Sequence, residues 1–300
     1  MKIVHSYWSK PGLAIRDHSD KSAGGWLHKK YYYYSWALSC LKFKDLYGGI
    51  ELVTDKAGYH LLIERLQLPY TSVRVELDVL NDYHEKLWAL GKLYAYSIQE
   101  EPFLHADGDV FIWEQLGNAI EEAPLAAQHR EVGEVHYKDA WRDLHNYFNY
   151  IPEVLTKDFK TYEKIDAANA GIFGGNDLDF FKEYVAEAFN FINRNKKSIE
   201  NDNVFGSRFA ILYEQYLFSC MAREKRLNIS YYFPEFSPRY EQLSDFKNKY
   251  GVKKYTHVMD IYKKLSAYCF ELENILRVEY PTNFYTIEKE LSKIPNHIML

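Results

Sequence analysis

The chain has 300 residues, with 37 Lys+Arg against 42 Asp+Glu, a formal net charge of −5, 47% apolar residues and 26% charged ones. That balance excludes a disordered or fibrous chain, and mild acidity without a Lys/Arg block excludes a nucleic-acid binder held by long-range electrostatics. The aromatic share of 17% is high, and it suits either walls that stack on ring-shaped ligands or an aromatic core.

In chain order, residues 2–8 read as a short buried strand and 9–25 as a polar loop. Over 26–47, Leu27, Tyr31, Tyr34, Leu38 and Leu41 recur at helical spacing, and Gly48 and Gly49 stop the helix. The four tyrosines at 31–34 offer either a stacking platform or a helix half in the core and half at the surface. A second strand is expected at 50–54, then a turn at 55–58 and a short helix toward Leu66. Val73, Val75 and Leu77 alternate with Ser72, Arg74 and Glu76, which predicts a third strand. A helix over 84–99 ends at Pro102, and 103–113 is an apolar strand interrupted by Asp107-Gly108-Asp109.

The second half yields a short strand at 168–173 and helices at about 177–193, 202–224, 260–277 and 286–293. Strands alternating with helices predict an α/β fold with a mainly parallel sheet covered on both faces, with ligand sites at the carboxyl edge. No Pro/Gly-rich linker divides the chain. The expected organisation is a domain over 1–240 with a helical C-terminal extension over 241–300 packed on it.

Cys40, Cys220 and Cys269 sit in apolar runs without a C-x-x-C pair, as buried thiols of a reducing compartment do. No leader-like stretch opens the chain, and no window has the run of about 18–20 apolar residues that spans a membrane. The expectation is a cytoplasmic protein whose membrane contact, if any, is peripheral.

The chemistry-bearing feature is Asp107-Gly108-Asp109. Residues two apart on a strand project from one face, with Cα atoms about 6.5 Å apart, so both carboxylates can converge on one hard divalent cation. The glycine between them lets the backbone bend. Two carboxylates at the end of a buried strand repel each other, and Mg²⁺ or Mn²⁺ would relieve that while holding a diphosphate. The plainer reading is a solvated Asp-Gly turn. The missing later ligand positions argue against an EF-hand.

The strand–Asp-x-Asp–strand element, with Lys92 in the preceding WALGKLYAY and NAGIFGG following at 169–175, resembles nucleotide-sugar-dependent glycosyltransferases of the GT-A fold. The likeness is to the bacterial surface-polysaccharide and galactosyltransferase-like types, and it covers roughly residues 1–225. The resemblance implies a GT-A-like (Rossmann-like) sheet and a metal-dependent hexosyltransferase of polysaccharide biosynthesis. It further implies a nucleotide-sugar donor (UDP favoured), a glycan or glycolipid acceptor, and retention at the anomeric carbon.

By the same resemblance Tyr7 and Trp8 in HSYWSKP line the base and Asp55 in LVTDKAG contacts the nucleoside. Asp107 and Asp109 hold Mn²⁺ or Mg²⁺, Lys92 approaches the donor diphosphate or sugar, and Asn169, Ala170 and Gly171 border the sugar. Glu214-Gln215 in LYEQYLFS resembles a helical Glu-Gln of these folds. A C-terminal H-x-x-G-x-x-K would supply a third metal ligand; THVMDIYKK offers His257 with Lys263 and Lys264, but lacks the glycine. No general base stands out among Asp139, Asp143 and Asp166. Two other readings stay open: a glycoside hydrolase with Asp107 and Asp109 as acid and base, and a non-catalytic carbohydrate- or nucleotide-binding protein. A Walker-type phosphate loop is a weak reading of 169–177, which lacks the Lys-Ser/Thr pair, and the G-x-S-x-G hydrolase signal is missing.

Overall fold

The computed structural model describes residues 1–13, 24–200, 208–234, 238–246 and 254–293. The expected loop over 9–25 and the start of the helix expected from 202 lie partly outside these residues. Eleven strands are described: β1 Lys2–Tyr7, β2 Glu51–Thr54, β3 Ser72–Val75, β4 Phe103–Ala106, β5 Val110–Ile112 and β6 Leu125–Ala127. They continue with β7 Arg130–Val132, β8 Asp166–Ala168, β9 Ile172–Gly175, β10 Ile229–Tyr231 and β11 Tyr255–His257.

The chain forms two compact units that interleave along the sequence. The first takes Met1–Lys2, Val79–His105 and Leu116–Pro238; the second takes Ile3–Asp78, Ala106–Gln115 and the chain from Arg239 onward. Among the described residues, the sheet of the first unit runs in the order β10-β6-β9-β4, with β10 parallel and β9 antiparallel to β6. In the second unit the order is β1-β2-β3, all parallel, with Val4 opposite Glu51 and Leu52 opposite Val73. The fold is therefore mixed α/β. There are two small antiparallel pairs besides, β7 with β8 and β5 with β11.

In the first unit, the helix Leu178–Arg194 buries Phe180, Phe181, Tyr184, Phe191 and Ile192 along one face, the spacing that Leu, Phe and Tyr produce at 3.6 residues per turn. Asp177 caps it by accepting from Phe180 N at 3.0 Å. The single strand expected at 168–173 is two strands, β8 and β9, because Asn169, Ala170 and Gly171 turn between them. Gly174 and Gly175 belong to sheet packing: a Cβ there would lie 2.1 Å from Phe103 O and 2.0 Å from Pro124 O respectively.

The second unit is built around the helix Lys29–Tyr47, which ends where Gly48, at φ 75°, donates its N–H to Lys44 O at 2.8 Å. This helix is buried almost all round. Tyr31, Tyr33 and Tyr34 are in the core and only Tyr32 is partly exposed, so the half-surface expectation for the run gives way to an interior one. The reason is the C-terminal pair of helices, Ser266–Glu279 and Pro281–Leu291, which packs against it. Ion pairs fasten them: Lys30 to Glu273 at 2.9 Å, Lys42 to Glu279 at 2.5 Å, and Arg65 to Glu290 at 3.4 Å. Tyr34 adds a hydrogen bond to Glu288. Each such large side chain buried contributes about 1.5–3 kcal/mol before entropy, so these helices are part of the unit's core. Among the described residues no helix is long and apolar enough to cross a membrane.

Candidate functional site

The apolar run 103–113 is broken by a turn at Asp107, whose carbonyl accepts from Val110 N at 3.0 Å. After the turn β5 pairs with β11. The antiparallel register sets His257 opposite Val110, and Val258 N donates to Asp109 O at 3.1 Å, so pairing delivers the imidazole beside the second carboxylate. Asp107, Asp109 and His257 each offer a ligand atom, and these atoms all lie within 4.8 Å of one another.

His257 Nε2 is 3.3 Å from Asp109 Oδ1, and Lys263 Nζ is 2.5 Å from Asp109 Oδ2. Burial works against an ionised Asp109, but Lys263 and His257 outweigh it and hold the carboxyl well below the usual carboxylate range. Asp109 Oδ1 is buried and makes no well-formed hydrogen bond. Two carboxylates, one with a buried unsatisfied oxygen, and an imidazole make a donor set that fits a divalent cation.

Lys263 lies in the short helical turn Asp260–Lys264. Its carbonyl accepts from Leu27 N at 2.9 Å, and its ammonium also donates to Gly24 O at 3.3 Å. The glycine missing from H-x-x-G-x-x-K has a structural explanation. Position 260, three after His257 and three before Lys263, has φ 44°, in the left-handed region that glycine favours, and Asp is one of the few other residues to tolerate it. The His-to-Lys spacing and a left-handed backbone at its midpoint are both present.

The loop after β1 is stapled by Asp55. Its carboxylate accepts from Ser9 N at 2.8 Å, Ser9 Oγ at 2.6 Å and Gly58 N at 2.7 Å, the last as the cap of the helical turn Lys56–Tyr59. Asp55 is 3% exposed, so most of its acceptor capacity holds the loop. Gly58 is required there, since a Cβ would lie 2.1 Å from Thr54 Oγ1 and 2.4 Å from the Tyr7 ring. Tyr7 packs edge-on against Trp36 at 5.1 Å. Trp8 is buried with its Nε1–H unpartnered.

The other expected residues belong to the first unit. Lys92, on the helix Leu90–Ser97, pairs with buried Glu214 at 3.2 Å and lies 5.2 Å over the Trp88 ring. Asn169 Nδ2 donates to Glu131 Oε1 at 3.0 Å, and its Oδ1 accepts from Gly171 N at 3.0 Å; Ala170 and Gly171 are buried beside it. Glu131, His129 and Tyr137 were missed by sequence reasoning. Burial opposes ionisation of Glu131, but His129, Tyr137 and Asn169 hold its pKa below the ordinary value. The Tyr137 hydroxyl lies 2.8 Å from Glu131 Oε2 and 2.6 Å from Gln215 Oε1, which ties Gln215 to the same cluster. The available signal was the i, i+2 spacing of His129, just before β7, and Glu131 within it. Asp139 pairs with Arg142 and Arg208, Asp143 with Arg142, and Asp166 with Arg130 and Arg223, so each is engaged by guanidinium groups.

Comparison with known proteins adds likenesses of fold. The structure is similar to the galactosyltransferase LgtC solved with donor and acceptor sugar analogues, at 11% identity and a TM-score of 0.36, over 71% of this chain and 70% of that one. It is similar to mouse xyloside xylosyltransferase 1 in its apo form, at 10% identity and a TM-score of 0.40, over 85% and 96%. An active-site mutant of LgtC gives 10% identity and 0.40 over 86% of each chain. No curated protein matches the sequence. A family model matches residues 1–290, and the chain belongs to that family, the family of unknown function DUF6734.

Proposed function

We propose that this protein is a divalent-cation-dependent glycosyltransferase. In this reading it moves a hexose from a nucleotide-sugar donor, UDP-hexose favoured, to a glycan or glycolipid acceptor with retention. The observation that carries the reading is the Asp107–Asp109–His257 cluster with Lys263 against it. Cleavage of the anomeric C–O bond passes through an oxocarbenium-like transition state and leaves negative charge on a nucleoside diphosphate. Mn²⁺ held by Asp107, Asp109 and His257 would supply Lewis-acid stabilisation of that charge. Lys263 contributes a second, compact positive charge for a phosphate oxygen. The Trp8 indole N–H is a buried donor that a base carbonyl or a ribose hydroxyl would satisfy, on a loop that Asp55 keeps rigid. UDP and retention rest on the sequence resemblance alone.

The hydrolase alternative needs one carboxyl with a raised pKa to act as an acid. Asp109 is displaced the other way, which favours ligation over proton donation. The test is a panel of nucleotide sugars with Mn²⁺ or with EDTA, following thermal stability and release of nucleoside diphosphate. Metal-dependent release from a UDP- or GDP-sugar is expected, with loss in Asp109→Ala. Glycoside turnover without metal or nucleotide would replace this reading with the hydrolase, and stabilisation without release across many acceptors would replace it with the binding protein.

A further inference from the structure

The segment Asp107-Gly108-Asp109 is held from behind by the tyrosine-rich helix Lys29–Tyr47, through backbone groups that no ligand motif specifies. Ser35 Oγ donates to Gly108 O at 2.6 Å, and Ser39 Oγ, one helical turn on, donates to Asp107 O at 3.3 Å. These two serines are buried on the face that meets β5, at the i, i+4 spacing that puts both hydroxyls on one line. Between them Trp36 lies against Gly108 so closely that a Cβ at Gly108 would come 2.6 Å from its ring carbons.

Behind Ser39 stands His5, on β1 and fully buried. Its Nε2 is 3.2 Å from Ser39 Oγ and its Nδ1 is 2.9 Å from the Tyr70 hydroxyl. Asp107 O can only accept, so the one Ser39 proton goes to it, and Ser39 Oγ must receive from His5. That places the imidazole proton on Nε2 and leaves Nδ1 to accept from Tyr70 O–H. One assignment satisfies every atom, a directed chain Tyr70 → His5 → Ser39 → Asp107 carbonyl. Burial favours the neutral imidazole that this chain needs.

Resting on the metal reading above, we infer that Ser35 and Ser39, with His5 and Tyr70 behind them, are positioning residues that set the spacing of the two carboxylates. The clamp fixes the carbonyls of Asp107 and Gly108, so the Asp107 and Asp109 side chains start from a preset backbone. Without it, the loop keeps its backbone hydrogen bonds from Val110 and Val258 but loses its anchor on the helix. Groups one shell behind metal ligands typically change affinity by about 10–100-fold.

The experiment compares the full chain with Ser35→Ala, Ser39→Ala and the double variant. Mn²⁺ affinity is read from the free-ion signal in electron paramagnetic resonance, and amide exchange at Asp109 and Val110 is read without metal. The double variant is expected to bind Mn²⁺ about 10-fold more weakly and to exchange these amides faster. Ser97→Ala removes a helix hydroxyl bond to Tyr94 O and should change neither readout. Mn²⁺ binding within twofold of the parent chain together with unchanged exchange overturns the clamp. A parent chain that binds no Mn²⁺ overturns the metal reading instead, and amide exchange then decides the clamp alone.

Discussion

Lowering the pH from 7.5 to 5.0 should expose the burial of His5 as a loss of stability. His5 is completely buried, and burial drops its imidazole from the ordinary 6.5 to about 3, the nearby charge of Asp109 opposing the drop only in part. Above pH 6.5 the ring is neutral in both folded and unfolded chains and contributes no pH dependence. Below it the unfolded chain takes up a proton that the folded chain refuses until about pH 3. Stability therefore falls as pH falls across that window, by about 1.4 kcal/mol per pH unit. At pH 5.0 the loss attributable to this one residue is about 2 kcal/mol. The assay is urea unfolding of the parent chain and of His5→Gln at both pH values, since Gln keeps a polar group but does not titrate. The other histidines titrate in both proteins and cancel in the difference. The parent should lose about 2 kcal/mol more than the variant on acidification. Equal losses would show that His5 titrates normally and that burial does not hold it neutral.

Gly108→Ala should destabilise the protein by about 1–3 kcal/mol through overpacking against Trp36, measured by denaturant midpoints, and Trp36→Leu should recover part of that in a double-mutant cycle. Additive effects of the two changes would remove the contact as the cause. Asp260→Gly relieves the left-handed backbone at φ 44° and should leave stability unchanged or raise it by up to about 1 kcal/mol, whereas Asp260→Val should lower it by about 1–2 kcal/mol. Thermal melts of both variants check this, and a Val variant as stable as the parent would contradict it. In acid, ionised Asp109 stabilises the folded chain above its ordinary unfolded pKa near 3.8, and that contribution fades as pH falls through its lower folded value. The stability gap between the parent and Asp109→Asn should therefore narrow below about pH 4, as followed by circular dichroism.

The first hundred residues were the most legible because their elements follow local rules. Ile3 and Val4 announce β1, Leu52 and Val53 announce β2, and Gly48 ends the long helix by adopting the left-handed conformation. The Asp107-Gly108-Asp109 turn was also readable, since a charge pair inside an apolar run is costly wherever it folds. What escaped were strands of three residues, β6, β7, β10 and β11, too short to show a period of two. His257 reaches Asp109 only because β11 pairs with β5 from far along the chain, a register that no local pattern encodes. The helix expected over 84–99 begins only at Leu90, and the stretch Leu212–Tyr216 winds as a π-helix, where the 3.6-residue period no longer applies. The tyrosine run misled for a different reason. Its helix is covered from several sides, so the usual split into buried and exposed faces does not hold there.

The most direct test of the account is calorimetric titration of Mn²⁺ into the full chain and into Asp109→Asn, with folding of both verified by circular dichroism. The account predicts a single saturable Mn²⁺ site in the parent chain that the variant lacks. Saturable binding of equal strength in both proteins, or none in the parent, would contradict it.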